Sequence, residues 1–380
     1  MGMPTIITNS SNGAHPRELI LIGGGHTHVL LLRKLSENPL HDVRMTMVSD
    51  FEYAAYSGML PGLISGFYQQ TELLIDLRHL CRLANVQFIH AKACGMNLKQ
   101  KQVLLDSGAA SLAADLVSIN VGGLPDTGGV EGAKSWAIPS KPVPRLLKGW
   151  ASTMAAAENS TGQLQIILVG GGAGGVELAL AMRSRLPHAE FTIIHSEPCL
   201  LSGHNSRARH IVHNLLLERN VAAITGAKVV EVMPDSVRLD DGQRLAADFV
   251  FWVTQAVPPP WLGESGLDIT REGFIRVKPT LQAINYPWIF AAGDAASIEN
   301  RKLPRSGVFA VRMAKPLEHN LRAYLAGRLL KEYKPQRHSL SLIGTADGRA
   351  IASYSDLAAR SAFFWWLKNR IDRRFMRQFQ

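Results

Sequence analysis

The stretch Gln165-Ile166-Ile167-Leu168-Val169-Gly170-Gly171-Gly172-Ala173-Gly174-Gly175-Val176-Glu177-Leu178-Ala179 decides the fold. A short apolar run of strand length meets a glycine-rich turn, and the turn opens a run, 176–183, of helical pattern. Gly170, Gly172 and Gly175 satisfy G-x-G-x-x-G in full. The first glycine permits a tight turn, the second lets backbone approach a pyrophosphate, and the third lets helix pack closely on strand. The diphosphate of a dinucleotide then rests on free N–H groups at the helix N-terminus, where the dipole favours an anion. A second apolar strand, 191–194, follows at the right distance. Strand, turn, helix and strand form the βαβ unit of a parallel sheet, and that context separates a binding turn from a bare glycine cluster.

The same grammar occurs earlier. Residues 18–22 lead into Gly23-Gly24-Gly25-His26-Thr27-His28, the helical run 29–35 and a second strand, 43–48. Two such units imply two dinucleotide sites. In the first turn His28 stands where the third glycine belongs, and its bulk is expected to push the helix slightly off its strand. His26 and His28 lie two positions apart, so on a helix they do not face one another, and no metal site is expected. The carboxylate that usually follows the second strand, and that binds a ribose 2′-hydroxyl, is displaced in both units. Ser49 then Asp50 hold that place in the first; His195, Ser196 and Glu197 hold it in the second. Without it, NADH and NADPH are not distinguished. A late strand, Trp288-Ile289-Phe290-Ala291-Ala292-Gly293-Asp294, delivers one carboxylate at its end. Strand ends at 116–121 before Gly122-Gly123, and at 249–253 before Thr254-Gln255-Ala256, read as chain crossings between domains.

The 380 residues suit two or three domains, and 46% hydrophobic against 19% charged residues marks a globular chain. A net charge of +10 fits phosphate-rich ligands or an anionic surface; no nucleic-acid module accompanies it. The three cysteines, Cys81, Cys94 and Cys199, form no close pair, which argues against a disulfide framework and a zinc site. No apolar run reaches membrane-spanning length, and residues 1–17 lack a signal-peptide layout, so they read as a flexible lead-in and the expected location is the cytoplasm. Residues 122–144 and Val257-Pro258-Pro259-Pro260 are the best boundaries. Segments 339–343 and 349–353 read as a β-hairpin, followed by a helix from about Ser361.

The ordered set of two glycine turns and the Gly-Asp strand end resembles the flavoproteins with two dinucleotide-binding domains, the pyridine nucleotide-disulfide oxidoreductases, over about residues 18–333. The resemblance implies an α/β fold of two nested Rossmann-like domains with a small C-terminal hairpin-plus-helix appendage. Residues 18–123 and 261–330 would form a discontinuous FAD domain, 124–260 the NAD(P)H domain, and 331–380 the appendage. By the same resemblance Gly23, Gly24, Gly25 and His26 with Ser49, Asp50, Pro61, Gly122, Gly293, Asp294, Gly307 and Val308 would hold FAD. Asp294 would bond the ribityl chain and diphosphate, and the helix from Gly307 would aim its N-terminus at the flavin pyrimidine. Gly170, Gly172, Gly175, His195 and Thr254 would hold NADH or NADPH.

Disulfide reductases of this family carry a redox-active cysteine pair; segments 50–66 and 170–185 contain no cysteine. Val176-Glu177-Leu178-Ala179 and the basic, aromatic C-terminal helix look like type II NADH dehydrogenases, which reduce quinones. Glu177 would then sit at the nicotinamide as the catalytic carboxylate. The family often gives such a carboxylate a lysine partner, and 50–70 contains no Lys or Arg. Tyr56-Ser57-Gly58-Met59-Leu60-Pro61-Gly62, Gly307-Val308-Phe309-Ala310-Val311-Arg312 and Ile371-Asp372-Arg373-Arg374-Phe375-Met376 resemble a flavoprotein type sometimes fused to selenide, water dikinase. The expected activity is FAD-dependent oxidation of NAD(P)H with a quinone-type acceptor. The rivals are a soluble acceptor (oxygen, a redox protein, or a selenium or sulfur compound) and a flavin-bearing regulatory protein. In the last helix Phe364, Leu367, Ile371, Phe375 and Phe379 make an apolar stripe opposite Arg370, Arg373 and Arg377. That pattern suits either peripheral contact with the cytoplasmic face of a membrane or docking on the protein itself.

Overall fold

Two five-stranded parallel sheets organise the chain, and each is centred on the strand that feeds a glycine turn. In the first, the order is Ile289–Ala291, Leu116–Ile119, Arg17–Ile22, Val43–Ser49, Gln87–His90. In the second it is Ala137–Pro139, Phe249–Trp252, Gln165–Val169, Glu190–His195, Val221–Thr225. Strands buried on both faces read as continuous apolar runs, which is why both central strands were visible as such. The computed structural model describes residues 16–106, 111–160, 162–301, 303–336 and 339–379. The lead-in expected over 1–17 falls, up to residue 15, outside them.

Each sheet also carries a three-stranded antiparallel meander, Ala93–Asn97 with Gln102–Leu105 and Ser111–Ala113, and Val229–Val232 with Ser236–Leu239 and Arg244–Ala246. All strands of the second sheet fall between Leu116–Ile119 and Ile289–Ala291 of the first, so one unit is inserted in the other. The helix Ala173–Arg185 is buried without a break from Val176 to Met182 except for Glu177. It lies between its own sheet, the short helix Leu60–Ile64 and the C-terminal strands, which explains a composition with no polar face.

Two expectations for the C-terminus are corrected. The hairpin is a three-stranded sheet, Ser341–Gly344, Ala350–Tyr354 and Leu357–Ser361, because the turn at Ser355 and Asp356 returns the chain once more. The helix Ala362–Met376 is capped by Ser361, whose hydroxyl accepts from the Phe364 amide at 3.3 Å. It docks on the protein, and its seated face takes in only part of the apolar stripe: Phe375 is buried and Phe364, Leu367 and Phe379 are half-buried. Lys368, Asp372, Phe375 and Met376 are buried, whereas Ile371 is 46% exposed. Arg373, expected opposite the seat, reaches Glu72 at 2.5 Å. Lys368 and Asp372 satisfy each other at 2.8 Å, and that pairing lets a charged face be buried.

Candidate active site

The first glycine turn is held from inside by Asn120, at the end of strand Leu116–Ile119. Its side-chain oxygen accepts from the amides of Thr27 (3.1 Å) and His28 (3.2 Å), and its amide donates to the Ala292 carbonyl at 2.8 Å. Asn120 thus stitches the turn to the strand end that carries Gly293 and Asp294. A Cβ at Gly23, where φ is +89°, would lie 2.6 Å from the Asn120 carbonyl, and one at Gly25 would lie 2.3 Å from its side chain. The glycines are there because two backbones meet. His28 fills the third-glycine position as a buried bridge. Its Nδ1–H donates to the Gly23 carbonyl at 2.7 Å, so Nε2 accepts from the Ser118 hydroxyl at 2.8 Å. Burial lowers its pKa to about 4, so it is a neutral strut.

The second turn is built alike and opens on a cleft of about 1780 Å³. Gly170 has φ +122°, and a Cβ at Gly175 would fall 1.9 Å from the Gly170 carbonyl. Gly172 is different: nothing of the protein lies within 4 Å of the place its Cβ would take. Protein packing does not require glycine there, and the open backbone fits the close approach of a dinucleotide diphosphate. His195 borders the turn, its Nδ1 accepting from the Gly171 amide at 3.2 Å. Ser196, Glu197 and Lys228 line the cleft beside it. The Thr254 hydroxyl donates to the Asp126 carbonyl at 2.7 Å, which fixes the crossing strand to the linker.

The cleft brings Gly170, Gly172, Glu177, His195 and Thr254 together with Pro61, Gly293 and Asp294. It does not reach Gly23, Gly24, Gly25, His26, Ser49, Asp50 or Gly122, which lie at the C-terminal ends of the first sheet's strands; Gly175 sits behind its own turn. Ser49 makes a local turn, donating to the Phe51 carbonyl at 2.8 Å. Gly307 and Val308 are exposed outside the cleft, and their neighbours Ser306, Phe309 and Ala310 line it instead.

At one end of the cleft stands Glu177. Its Oε1 accepts from the Gly344 amide at 2.6 Å. Desolvation pushes its carboxyl up to about 7, against the opposing pull of Lys368 and the Gly344 amide. Lys368 supplies the lysine that segment 50–70 lacks. Its ammonium donates to the Gly58 carbonyl at 2.6 Å and to Asp372 at 2.8 Å. Burial opposes its charge, but Glu177 and Asp372 outweigh burial and raise its pKa. Asp372 in turn accepts from Tyr56 at 3.0 Å, and Tyr56 stacks on Phe375 at 4.5 Å and meets His26 edge-on at 5.5 Å. A void of about 10 Å³ lies between Glu177 and Lys368, lined also by Ser65 and Tyr68; it is about the size of one water.

Asn120, Lys141, Lys368, Asp372 and Tyr56 were missed from sequence. Asn120 had a local signal, a polar residue closing an apolar strand ahead of Gly122-Gly123. Lys141, whose ammonium lies 3.2 Å from Asp294, had none.

The chain matches the family described as pyridine nucleotide-disulphide oxidoreductase over residues 17–314. It is 24% identical to the ferroptosis suppressor protein 1 of Xenopus tropicalis over 348 residues, covering 87% of each chain. It is 22% identical to a type II NADH:quinone oxidoreductase of Staphylococcus aureus, covering 94% of each. Its fold superposes on the sulfide:quinone oxidoreductase of Aquifex aeolicus with a TM-score of 0.81 at 20% identity, over 95% of this chain and 91% of that one. With two glycine cradles of matching construction on the two sheets, the chain belongs to the pyridine nucleotide-disulphide oxidoreductase family, as a flavoprotein oxidoreductase using FAD and NADH or NADPH.

Proposed function

We propose that the protein oxidises NADH or NADPH and delivers the electrons to a quinone-type acceptor without a thiol relay. Residues 18–123 and 261–330 hold FAD, with the first-turn glycines, His26, Ser49, Asp50, Pro61, Gly122, Gly293 and Asp294 as its contacts and Gly307 and Val308 opening the helix beside it. Residues 124–260 hold the nicotinamide coenzyme on Gly170, Gly172 and Gly175, with His195 and Thr254 at its flanks, and 331–380 cap the acceptor side. FAD, when bound, accepts hydride from the nicotinamide and returns two electrons to the acceptor.

The observation that carries this reading is the proton chemistry built around Glu177. Reducing a quinone with NAD(P)H consumes one proton from solution beyond the hydride. Glu177, its carboxyl pushed up to about 7 by burial, holds a proton far more readily than an ordinary carboxylate and suits general acid work. Lys368, Asp372 and Tyr56 continue a hydrogen-bonded or closely coupled line from it toward the C-terminal helix. An acceptor taking electrons alone needs no such group. The quinone acceptor of the S. aureus relative points the same way.

The cysteines are poorly placed for a relay. Cys81 is buried with its thiol pushed up to about 12, Cys94 is exposed on a meander, and Cys199 faces Arg209 at 3.2 Å. No helix among the described residues is long and apolar enough to cross a membrane, so contact with a quinone-bearing bilayer would be peripheral, through the exposed Phe363, Trp366 and Ile371. An acceptor screen on the purified holoprotein tests the proposal. NAD(P)H oxidation is expected to rise at least tenfold on adding a short-chain quinone. Equal or faster turnover with oxygen, a one-electron redox protein or a sulfur or selenium compound would overturn it.

A further inference from the structure

Lys141 belongs by chain position to the second sheet. It follows Ser140, whose amide donates to the Trp252 carbonyl at 2.9 Å, and precedes the helix Val143–Asn159. Its ammonium nevertheless crosses to the first unit and pairs with the Asp294 carboxylate at 3.2 Å, inside the cleft. Asp294 stands beside the first glycine turn. A Cβ on the preceding Gly293 would lie 2.4 Å from the Asn120 side chain and 3.5 Å from the Thr27 hydroxyl, the second residue of the turn's helix. His26, which opens that helix, registers the lysine. After burial, Lys141 is the next influence holding its imidazole down at about 4, while Asp294 pulls the other way.

Arg305, a second cation that feels the Asp294 carboxylate, forms no ion pair with it and makes its own contacts elsewhere. It donates to the backbone carbonyls of Asp294, at 3.2 Å, and of Ala296, and its guanidinium lies 3.4 Å above the Phe274 ring. Among the described residues Lys141 is therefore the only side-chain ion pair of Asp294. A dinucleotide seated on the first turn puts its diphosphate at that helix N-terminus, next to a carboxylate. Like charges so close resist each other unless a cation lies between them.

We infer that Lys141 is the counter-charge that lets the Asp294 carboxylate and the FAD diphosphate on the neighbouring first turn lie side by side, a cofactor-positioning residue lent by the nicotinamide unit to the flavin unit. The inference concerns FAD, not the electron acceptor, so it stands or falls apart from the quinone reading.

The test is FAD affinity of apoprotein, measured by quenching of flavin fluorescence, in a four-cornered set. Lys141→Met is expected to weaken binding about ten- to a hundredfold, the scale of losing one partner of a charged hydrogen bond. Lys141→Arg keeps the charge and stays within about threefold of the unchanged protein. In an Asp294→Asn background the repulsion is already relieved, so Lys141→Met costs several-fold less there than alone. Melting curves of the apoproteins check folding, and Lys141→Gln replaces Lys141→Met should the latter not fold. FAD affinity unchanged in Lys141→Met overturns the inference. So does a Lys141→Arg variant as weak as Lys141→Met, or an equal cost of Lys141→Met in both backgrounds.

Discussion

Glu177 is the residue whose titration the proposed chemistry depends on. Its carboxyl is raised from an ordinary 4.5 to about 7, so the neutral form is the favoured one. The contribution to stability is complete below pH 4.5 and is lost as pH rises through about 7. Acting as proton donor, it is expected to make quinone-dependent kcat fall as pH rises through the same value. Glu177→Gln keeps the size and the acceptor for Gly344 N–H but holds no titratable proton; turnover should drop about a hundredfold and its profile flatten there. Steady-state kinetics from pH 5.5 to 9 decide it, and an unchanged profile in the variant would sink the role. Glu177 stood out through the resemblance of Val176-Glu177-Leu178-Ala179 to type II NADH dehydrogenases, and the structure places it on the cleft wall. The glycine motif itself was legible because a Cβ at Gly23, Gly25, Gly170 or Gly175 would strike backbone or side chain, so composition records the geometry directly. The contacts of Lys141 and Asn120 were not legible, although Asn120 stands out as a polar residue closing an apolar strand. Their partners lie 153 and 93 residues away, and nothing local marks a lysine or an asparagine as having one. His28 was legible as an anomaly, but its part as a buried strut between the Gly23 carbonyl and the Ser118 hydroxyl was not.

At the scale of the element, the C-terminal helix shows where periodicity misleads. Its apolar residues wind almost all the way round, and hydropathy cannot foresee that an internal Lys368–Asp372 pair will select the seated side. What remains outside is a smaller patch: Phe363 at 59%, Trp366 at 51% and Ile371 at 46% exposure, with Arg370 lying over the Trp366 ring at 5.4 Å. Exposed aromatics interleaved with arginines suit an anionic lipid surface. Removing the helix would unseat Lys368 and confuse docking with folding, so substitutions on the free side are the cleaner probe. Phe363→Ser with Trp366→Ser is expected to lower co-sedimentation with anionic liposomes at least tenfold, from roughly 1.5–3 kcal/mol per buried side chain, with FAD content unchanged. Equal pelleting of both proteins, or of neither, would assign the patch to some other use. The third C-terminal strand went unread because Leu357–Ser361 carries a polar-apolar mixture that resembles a turn more than a strand.

At the scale of the molecule, the fold was the most legible property, since two βαβ units and a late strand end already require two parallel sheets. The meanders were not, because their strands are only three to five residues long and carry little pattern, and the cleft was not, because residues far apart in the chain line it. Cys81, Cys94 and Cys199 form no disulfide with one another, and none lines the cleft. Replacing all three by serine is expected to leave NAD(P)H oxidation within about threefold, allowing for a core cost at Cys81 of the ordinary size for a buried substitution. A loss of orders of magnitude with FAD still bound would mean that sulfur carries the electrons after all.

The insertion of one sheet within the other also sets an order of events during synthesis. Every strand of the second sheet lies between Ala137 and Trp252, whereas the first sheet, begun at Arg17, waits for Ile289–Ala291 to cover its open edge at Leu116–Ile119. A chain emerging from the ribosome therefore finishes the later unit first, while the earlier one stays open with an apolar edge strand unpaired. The Lys141 contact is delayed in the same way: its donor emerges early, and Asp294 arrives only with the strand that closes the first sheet.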